Sequence, residues 1–514
     1  MPEIHPLGTA AARESASVVV IGGGPAGMAA ATAATEHSDR VVLIDASPRL
    51  GGQYWRHGQR DEAPGAPAPR WHHGWSTYRA LEAALKAAQR AGRLTVFAET
   101  HVWALDRRPG GGFDVHIAPV PEAAPALQRL AVIEAASVVL CPGAFDRQLP
   151  LPGWTLPGVM AAGGVQAYVK VQEQSPGRRV VLAGTGPFLL AAAASVLQAG
   201  GAVVAICEAA DLTGWVPRGL SAALVPSKGA EGAQYAALLA RHRVPYLRRH
   251  AVTAVLGTDR VRSVEVSRVD RRGRPVPGTA RRLADVDVVG LGWGFVPQSE
   301  LLVQAGARTR LDVDGSLVGV VDDLQASSIP GLYLAGEITG VTGASGALAE
   351  GEIAGHAAGC AVRGHQQRSQ RGAARTRARH RAFARAMHRA HPVPPHWQAW
   401  TTEQTVVCRC EEVTVGEMVE ARDRLELRDP RSPKGSTRAG MGLCQGRICG
   451  FATSCIASEG LGTREQDVAD AVSAARRPFA LPLTLGALAE DSTAPGSTTG
   501  EVHAEPLPRS EERN

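Results

Sequence analysis

The stretch SVVVIGGGPAGMAAATAA (17–34) runs a β-branched strand into a glycine turn and then into an alanine-rich helix. Gly22, Gly24 and Gly27 carry the G-x-G-x-x-G spacing, and VVLIDAS (41–47) follows, with Asp45 at the end of a second strand-like run. Each glycine has its own task. The first permits the tight turn, the second lets a pyrophosphate approach the backbone, and the third lets the helix pack close on its strand. Phosphate then sits at the helix N-terminus, where unpaired N–H groups and the helix dipole favour negative charge. Gly22, Gly24, Pro25, Ala26 and Gly27 are therefore the candidate cradle, and Asp45 the candidate acceptor for ribose hydroxyls. An α/β chain built on a Rossmann-like fold is expected; the fingerprint alone does not separate FAD from NAD.

A second stretch, RRVVLAGTGPFLLAAAASVLQAGGAVVAICEA (178–209), repeats the grammar with Gly184 and Gly186, but Leu189 stands where the third glycine belongs. A leucine there predicts a helix forced away from its strand or tilted against it. Glu208 ends the following strand, and no arginine comes soon enough after it to take a 2′-phosphate. NAD or an adenine nucleotide is the expected occupant rather than NADP, and a retained fold with an empty site is the alternative. Val180 to Cys207 carries no charge and is long enough to suggest a membrane span. GTGP and QAGG punctuate it, so a buried βαβ unit is expected instead. This region has no C-x-x-C, which disfavours redox-active dithiol chemistry.

The 514 residues suffice for several domains, and 44% hydrophobic composition suits folded cores. The net charge of +6 is local: nine arginines and no lysine or acid lie between Ile353 and Thr402, leaving the remainder at about −3. Residues 362–391 read as a helix stopped by Pro392, with a narrow apolar stripe at Phe383 and Met387. A solvated linker or a face for an acidic partner subunit is expected. Nucleic-acid binding is not, because aromatic interleaving and any nucleic-acid motif are missing. The first residues lack an apolar signal region, so a cytoplasmic protein with reduced thiols is expected.

Five of the eight cysteines fall near the C-terminus, in VVCRCEEVTVGEM (406–418), MGLCQGRICG (441–450) and FATSCIASEGL (451–461). Cys408 and Cys410, then Cys444 and Cys449, give C-x-C, 33 residues, C-x4-C. Zinc knuckles favour C-x2-4-C on both sides, whereas a 2Fe-2S cluster needs four thiolates, two per iron. The cluster is favoured and zinc stays open. Lys434, Arg438 and Arg447 are candidate charges beside it, Thr414 and Glu417 read as a capping box, and Cys455 as a buried thiol.

Two further stretches carry a resemblance. IPGLYLAGEI (329–338) followed by SGALAEGEIAGHAAG resembles the second FAD motif of the two-dinucleotide-binding flavoproteins, and LGGQYWRHG (50–58) resembles their flavin-side loop. GGQYWR, DRQLPLPGWTLPGVM (146–160), VCRCEEVT and TRAGMGLCQGRIC together resemble the flavoprotein subunits of hydrogen cyanide synthase, opine oxidase and D-hydroxyproline dehydrogenase. The resemblance implies FAD contacts at Gly51, Gly52, Gln53, Gly336 and Glu337. It also implies a BFD-like 2Fe-2S domain on Cys408, Cys410, Cys444 and Cys449. The implied organisation is an FAD domain (15–150 and 288–362) with an inserted NAD-like domain (151–287), a basic linker helix (363–403), a small mainly helical cysteine-cluster domain (404–475) and a disordered tail (490–514). The implied activity is oxidation of the C–N bond of an amino acid or opine, with FAD relaying electrons to or from the cluster. The implied partners are a small ferredoxin-like subunit plus an amine-oxidase-like flavoprotein subunit, through which peripheral membrane contact would arise. A self-sufficient NADH-dependent reductase is the alternative, and no residue is marked as a general base.

Overall fold

A computed structural model of the protein describes residues 13–58, 72–120, 130–219, 223–365, 370–427, 429, 431–458, 464–486 and 488; the tail expected from 490 onward lies outside them. The opening stretch forms strand β1 (Arg13–Ile21) and helix α1 (Pro25–Ala34). Strands β2 (Val41–Ile44), β3 (Leu94–Phe97), β4 (Thr100–Arg107), β5 (Phe113–Pro119) and β6 (Ala131–Leu140) complete a sheet in the order β3-β2-β1-β6-β5-β4. Val18, Val19 and Val20 are wholly buried, as a parallel strand covered on both faces requires.

Strand β6 is shared between two neighbours on its outer edge. Its first half pairs antiparallel with β5, and its last three residues, Val138–Leu140, pair in parallel with Leu332–Leu334. The chain therefore returns after nearly two hundred residues and delivers Gly336 to the same end of the sheet as the first glycine loop. Ligands of open parallel sheets bind at those carboxyl ends.

The excursion between holds a second parallel sheet, ordered Tyr246–Arg248, Ala202–Glu208, Arg179–Gly184, Val288–Gly292, Val159–Ala161. Val180 to Cys207 forms strand, helix and strand there, and among the described residues no helix is long and apolar enough to cross a membrane. Leu189 is buried without prying the unit apart, because the neighbouring strand yields the space. A methyl placed on Gly292 would lie 3.2 Å from Leu189 Cδ2, and one on Gly184 would lie 1.7 Å from the Gly292 carbonyl oxygen. The two sheets are joined by an antiparallel pair, Ala144–Asp146 with Phe295–Pro297.

Two helices frame the first sheet's ligand end. Ala344–Val362 lies so close on α1 that a methyl on Gly351 would sit 2.1 Å from the Ala26 oxygen, and one on Gly355 would sit 2.2 Å from the Ala30 oxygen. Helix Arg371–Ala390 ends before Pro392 as expected, but it does more than link. Its Arg381 Nε donates to the wholly buried Glu350 at 2.8 Å, and Arg377 donates to Gln325 Oε1 at 3.1 Å. The physical reason is Glu350: a carboxylate sealed from water needs a counter-charge, and the arginine helix supplies it. The C-terminal cysteine region pairs Val406–Cys408 with Val413–Thr414 and opens helix Val415–Arg424 with the capping box on Thr414 and Glu417.

Gly351→Ala should cost about 1–3 kcal/mol by overpacking, whereas Gly372→Ala, in a helix position with nothing within 4 Å, should be neutral or stabilise by up to about 1 kcal/mol; urea unfolding compares them. Arg381→Ala strands the Glu350 charge and should cost about 3 kcal/mol, with Glu350→Gln on the same background recovering part of the loss in a double-mutant cycle.

Candidate functional site

A cavity of ≈ 1050 Å³ opens at the carboxyl ends of the first sheet and reaches the second. Gly22, Gly24, Pro25, Ala26, Asp45, Gly52, Gln53, Gly336 and Glu337 all line it. Gly27 and Gly51 do not line it; both serve packing. A methyl on Gly27 would lie 1.7 Å from the Gly22 oxygen, and one on Gly51 would lie 2.9 Å from Trp55 Cβ. Gly52 brings a second backbone segment over the cradle, where its own methyl would meet Gly24 Cα at 2.8 Å. A methyl on Gly24, by contrast, would meet no protein atom nearer than 3.8 Å. That open space at a helix N-terminus suits a pyrophosphate. Asp45 already accepts the Gly23 N–H at 2.5 Å and the Ser47 N–H at 2.7 Å. Burial raises its pKa and those N–H groups oppose the rise.

Glu337 is the clearest sign that this wall is built to take a polar ligand. Its Oε2 is buried on the cavity wall with no hydrogen-bond partner. Burial, and then the neighbouring Glu350, push its pKa up to about 8. At neutral pH it is a protonated acid that can donate to a sugar hydroxyl as well as accept from one. Glu350 itself accepts from the Gly336 N–H (2.9 Å), from Thr339 Oγ1 (2.7 Å) and from Arg381. The orphan oxygen, the open cradle and the helix N-terminus together fit FAD. Glu350, Thr339 and Arg381 were missed from the sequence. The available signal was an acid inside the otherwise small-residue face of LAEGEIAGHAAG.

At the second fold Gly186 lines the same cavity, while Gly184 is locked against the Gly292 backbone. Glu208 departs from expectation. It is wholly buried, accepting the N–H groups of Gly186 and Ala210 (3.0 Å each) and the Tyr246 hydroxyl (3.4 Å). His391 Nδ1 approaches it to 3.5 Å, while His391 Nε2 accepts from Trp215 Nε1 at 2.9 Å. With Nε2 accepting, the ring proton sits on Nδ1, toward the carboxylate. The acid expected to hold a ribose is thus covered by the end of the arginine helix.

Cys408, Cys410, Cys444 and Cys449 line one smaller pocket of ≈ 210 Å³, with Trp154 and Arg409. Cys408 Sγ accepts the Gly440 N–H at 3.4 Å. A hydrogen bond from Cys449, aided by backbone N–H groups, pulls the Cys408 thiol down to about 6. Of the expected charges, Lys434 acts on Cys449 and Arg447 donates to the Cys444 carbonyl at 3.0 Å, and Arg477 joins them. Arg438 pairs with Glu411 and Arg447 with Glu300. Cys455 lies outside the pocket, its thiol pushed up to about 11 by burial. Sulfur hydrogen bonds join Cys449 to Cys408 and to Cys444, and Cys444 to Cys410. Gln148, Ala161 and Ile448 line both this pocket and the large cavity.

The model of the pyridine nucleotide-disulphide oxidoreductases matches residues 16–354. The chain is 29% identical to hydrogen cyanide synthase subunit HcnB of Pseudomonas protegens, over 85% of this chain and 90% of that one. It is 32% identical to an opine oxidase subunit of Agrobacterium tumefaciens, over 84% of this chain and 83% of that one. The solved L-proline dehydrogenase of P. horikoshii shares the fold, with a TM-score of 0.60 at 20% identity, over 93% of this chain and 80% of that one. The chain therefore belongs to the pyridine nucleotide-disulphide oxidoreductase family, as an FAD-dependent oxidoreductase related to the opine oxidase and hydrogen cyanide synthase subunits.

Proposed function

We propose that this protein is the electron-transferring flavoprotein subunit of a hetero-oligomeric dehydrogenase or oxidase that acts on the C–N bond of an amino acid or opine. The observation that carries the proposal is the shared wall: Gln148, Ala161 and Ile448 face the flavin-sized cavity on one side and the four cysteines on the other. FAD supplies an acceptor that takes electrons in pairs and releases them singly. A 2Fe-2S group on Cys408, Cys410, Cys444 and Cys449 would give single electrons an exit or an entry. The chain's own part is to hold the two groups one residue layer apart. Gly22, Gly24 and the N-terminus of α1 would receive the pyrophosphate, and Asp45 a ribose. Glu337 would meet the ribityl chain, with Glu350 and Arg381 fixing its loop.

The relatives are named as subunits, which supports assembly with an amine-oxidase-like partner and a small ferredoxin-like one. The alternative of a self-sufficient NADH reductase needs a ribose acceptor at Glu208, and His391 and Tyr246 already cover that carboxylate.

Purified without oxygen, the protein should show flavin bands with a reddish-brown cluster shoulder, two irons and two acid-labile sulfides per chain. Cys444→Ser should lose the iron and keep the flavin. A colourless protein, or one zinc per chain, would overturn the proposal. Rapid bleaching by NADH would replace it with the reductase.

Glu337 gives a pH test. An unfolded carboxyl titrates near 4.5 and the folded one near 8. The folded state therefore holds the proton more tightly, and its stability from this group is full below about 4.5 and lost as pH rises through about 8. FAD-free protein should unfold at progressively lower urea between about pH 5 and about pH 8.5, and Glu337→Gln should flatten that decline. An unchanged slope in the variant counts against it.

A further inference from the structure

The cavity has one wall whose charge no feature of the fold uses. Lys170, on helix Ala162–Gln172, is 4% exposed and lines the cavity. Its Nζ donates to the Tyr54 carbonyl at 2.7 Å and stands 5.7 Å from the centre of the Tyr54 ring. Tyr54 directly follows Gly52 and Gln53, so the ammonium sits beside the segment assigned to the flavin. Arg56 lines the cavity from the same segment, and its field reaches both Lys170 and Asp45. Across the opening, on helix Pro226–Arg241, Lys228 pairs with Glu231 at 2.7 Å, and Tyr235 bridges Glu231 (3.1 Å) to His73 (3.0 Å).

The local balance is what matters. Lys228 already neutralises Glu231, and Asp45, the carboxylate that the Arg56 field reaches, is held by the Gly23 and Ser47 N–H groups. Among the described residues no carboxylate makes an ion pair with Lys170 or Arg56. Two cations are thus held at a cavity wall, one of them almost fully removed from water, which costs free energy unless an anion completes the site. Burial, with Arg56 adding to it, pulls Lys170 down to about 8, so it keeps its proton at neutral pH. An ammonium with one of three donors used has two left for an oxyanion.

We propose that Lys170 and Arg56 form an oxyanion subsite beside the flavin and that its ligand is the carboxylate of the organic substrate. The proposal rests on the function argued above, and it gives this chain a part in binding the amino acid or opine as well as in relaying electrons. Carboxylate and phosphate share the required chemistry. Carboxylate is favoured because a nucleotide entering from the second fold would find its ribose acceptor, Glu208, already covered by His391. Tyr235, His73 and Lys228 then line the entrance opposite.

The test is calorimetric titration of the FAD-loaded full chain with benzoate, with benzamide as the neutral control and ADP as the phosphate probe. Benzoate should bind and benzamide should not. Lys170→Met and Arg56→Met should each weaken benzoate by at least about tenfold, the loss of one charge-assisted contact, while Lys86→Met on the outer surface leaves it unchanged. Each of three outcomes overturns the proposal: no benzoate binding, benzoate affinity unchanged from the parent protein in the two variants, or ADP binding that displaces benzoate. Benzoate binding confined to FAD-free protein also overturns it, because the two cations then belong to the flavin's own pyrophosphate. Failure of the flavin assignment is read separately, as a chain that cannot be loaded with FAD, whereas absence of benzoate binding to the loaded chain sinks the subsite alone.

Discussion

The carboxylate of Glu350 is the constraint on which the ligand end of this fold depends. It is wholly buried, and three donors from two places converge on it: the Gly336 N–H, the Thr339 hydroxyl and the Arg381 guanidinium. Gly336 and Thr339 belong to the turn after strand Leu332–Leu334, and Arg381 to a helix that follows later in the chain. One anion thereby fixes the second flavin loop, the helix carrying Glu350 and the arginine helix in a single arrangement. It also sets the electrostatics next door, because its charge helps keep the Glu337 proton in place. A buried charge is a poor source of net stability but a strict selector of geometry, since any arrangement without its partners is heavily penalised.

The arginine helix shows how far a local reading reaches. Nine arginines without an acid look like a solvated or partner-facing surface when read along the sequence. The partners of Arg377 and Arg381, namely Glu350, Gln325 and Asp323, lie 31 to 56 residues away, and pairing across such distances leaves no periodic trace. The two glycine loops, by contrast, were legible as folds because each encodes its strand, turn and helix within a few residues. Gly22 and Gly27 could be assigned from spacing alone, since the turn and the helix contact they serve are local. Leu189 fell between these cases. Its misfit is local, but the accommodating Gly292 lies on another strand about a hundred residues on.

Duplication of a nucleotide fold need not duplicate its function. Both folds place an acid at the end of the second strand, Asp45 and Glu208, and both acids accept a backbone N–H from the glycine turn. Asp45 remains on the cavity wall. Glu208 is closed off by Tyr246 from its own sheet and by His391 from outside it. The difference comes from the arginine helix, whose middle is anchored at the first fold by Glu350 and whose end is thereby carried over the second. The helix that completes one site through Arg381 covers the other's acid through His391, so the two are linked through one element.

The same economy governs the cysteines. Their region packs onto the segment from Arg147 to Trp154, where Trp154 Nε1 donates to the Val406 carbonyl at 2.6 Å and Arg147 lies 4.6 Å over the Phe451 ring. Gln148 of the same segment is part of the cavity wall and of the cysteine pocket alike. Anchoring them to Trp154 and Arg147 makes their place against the cavity wall a property of the folded core.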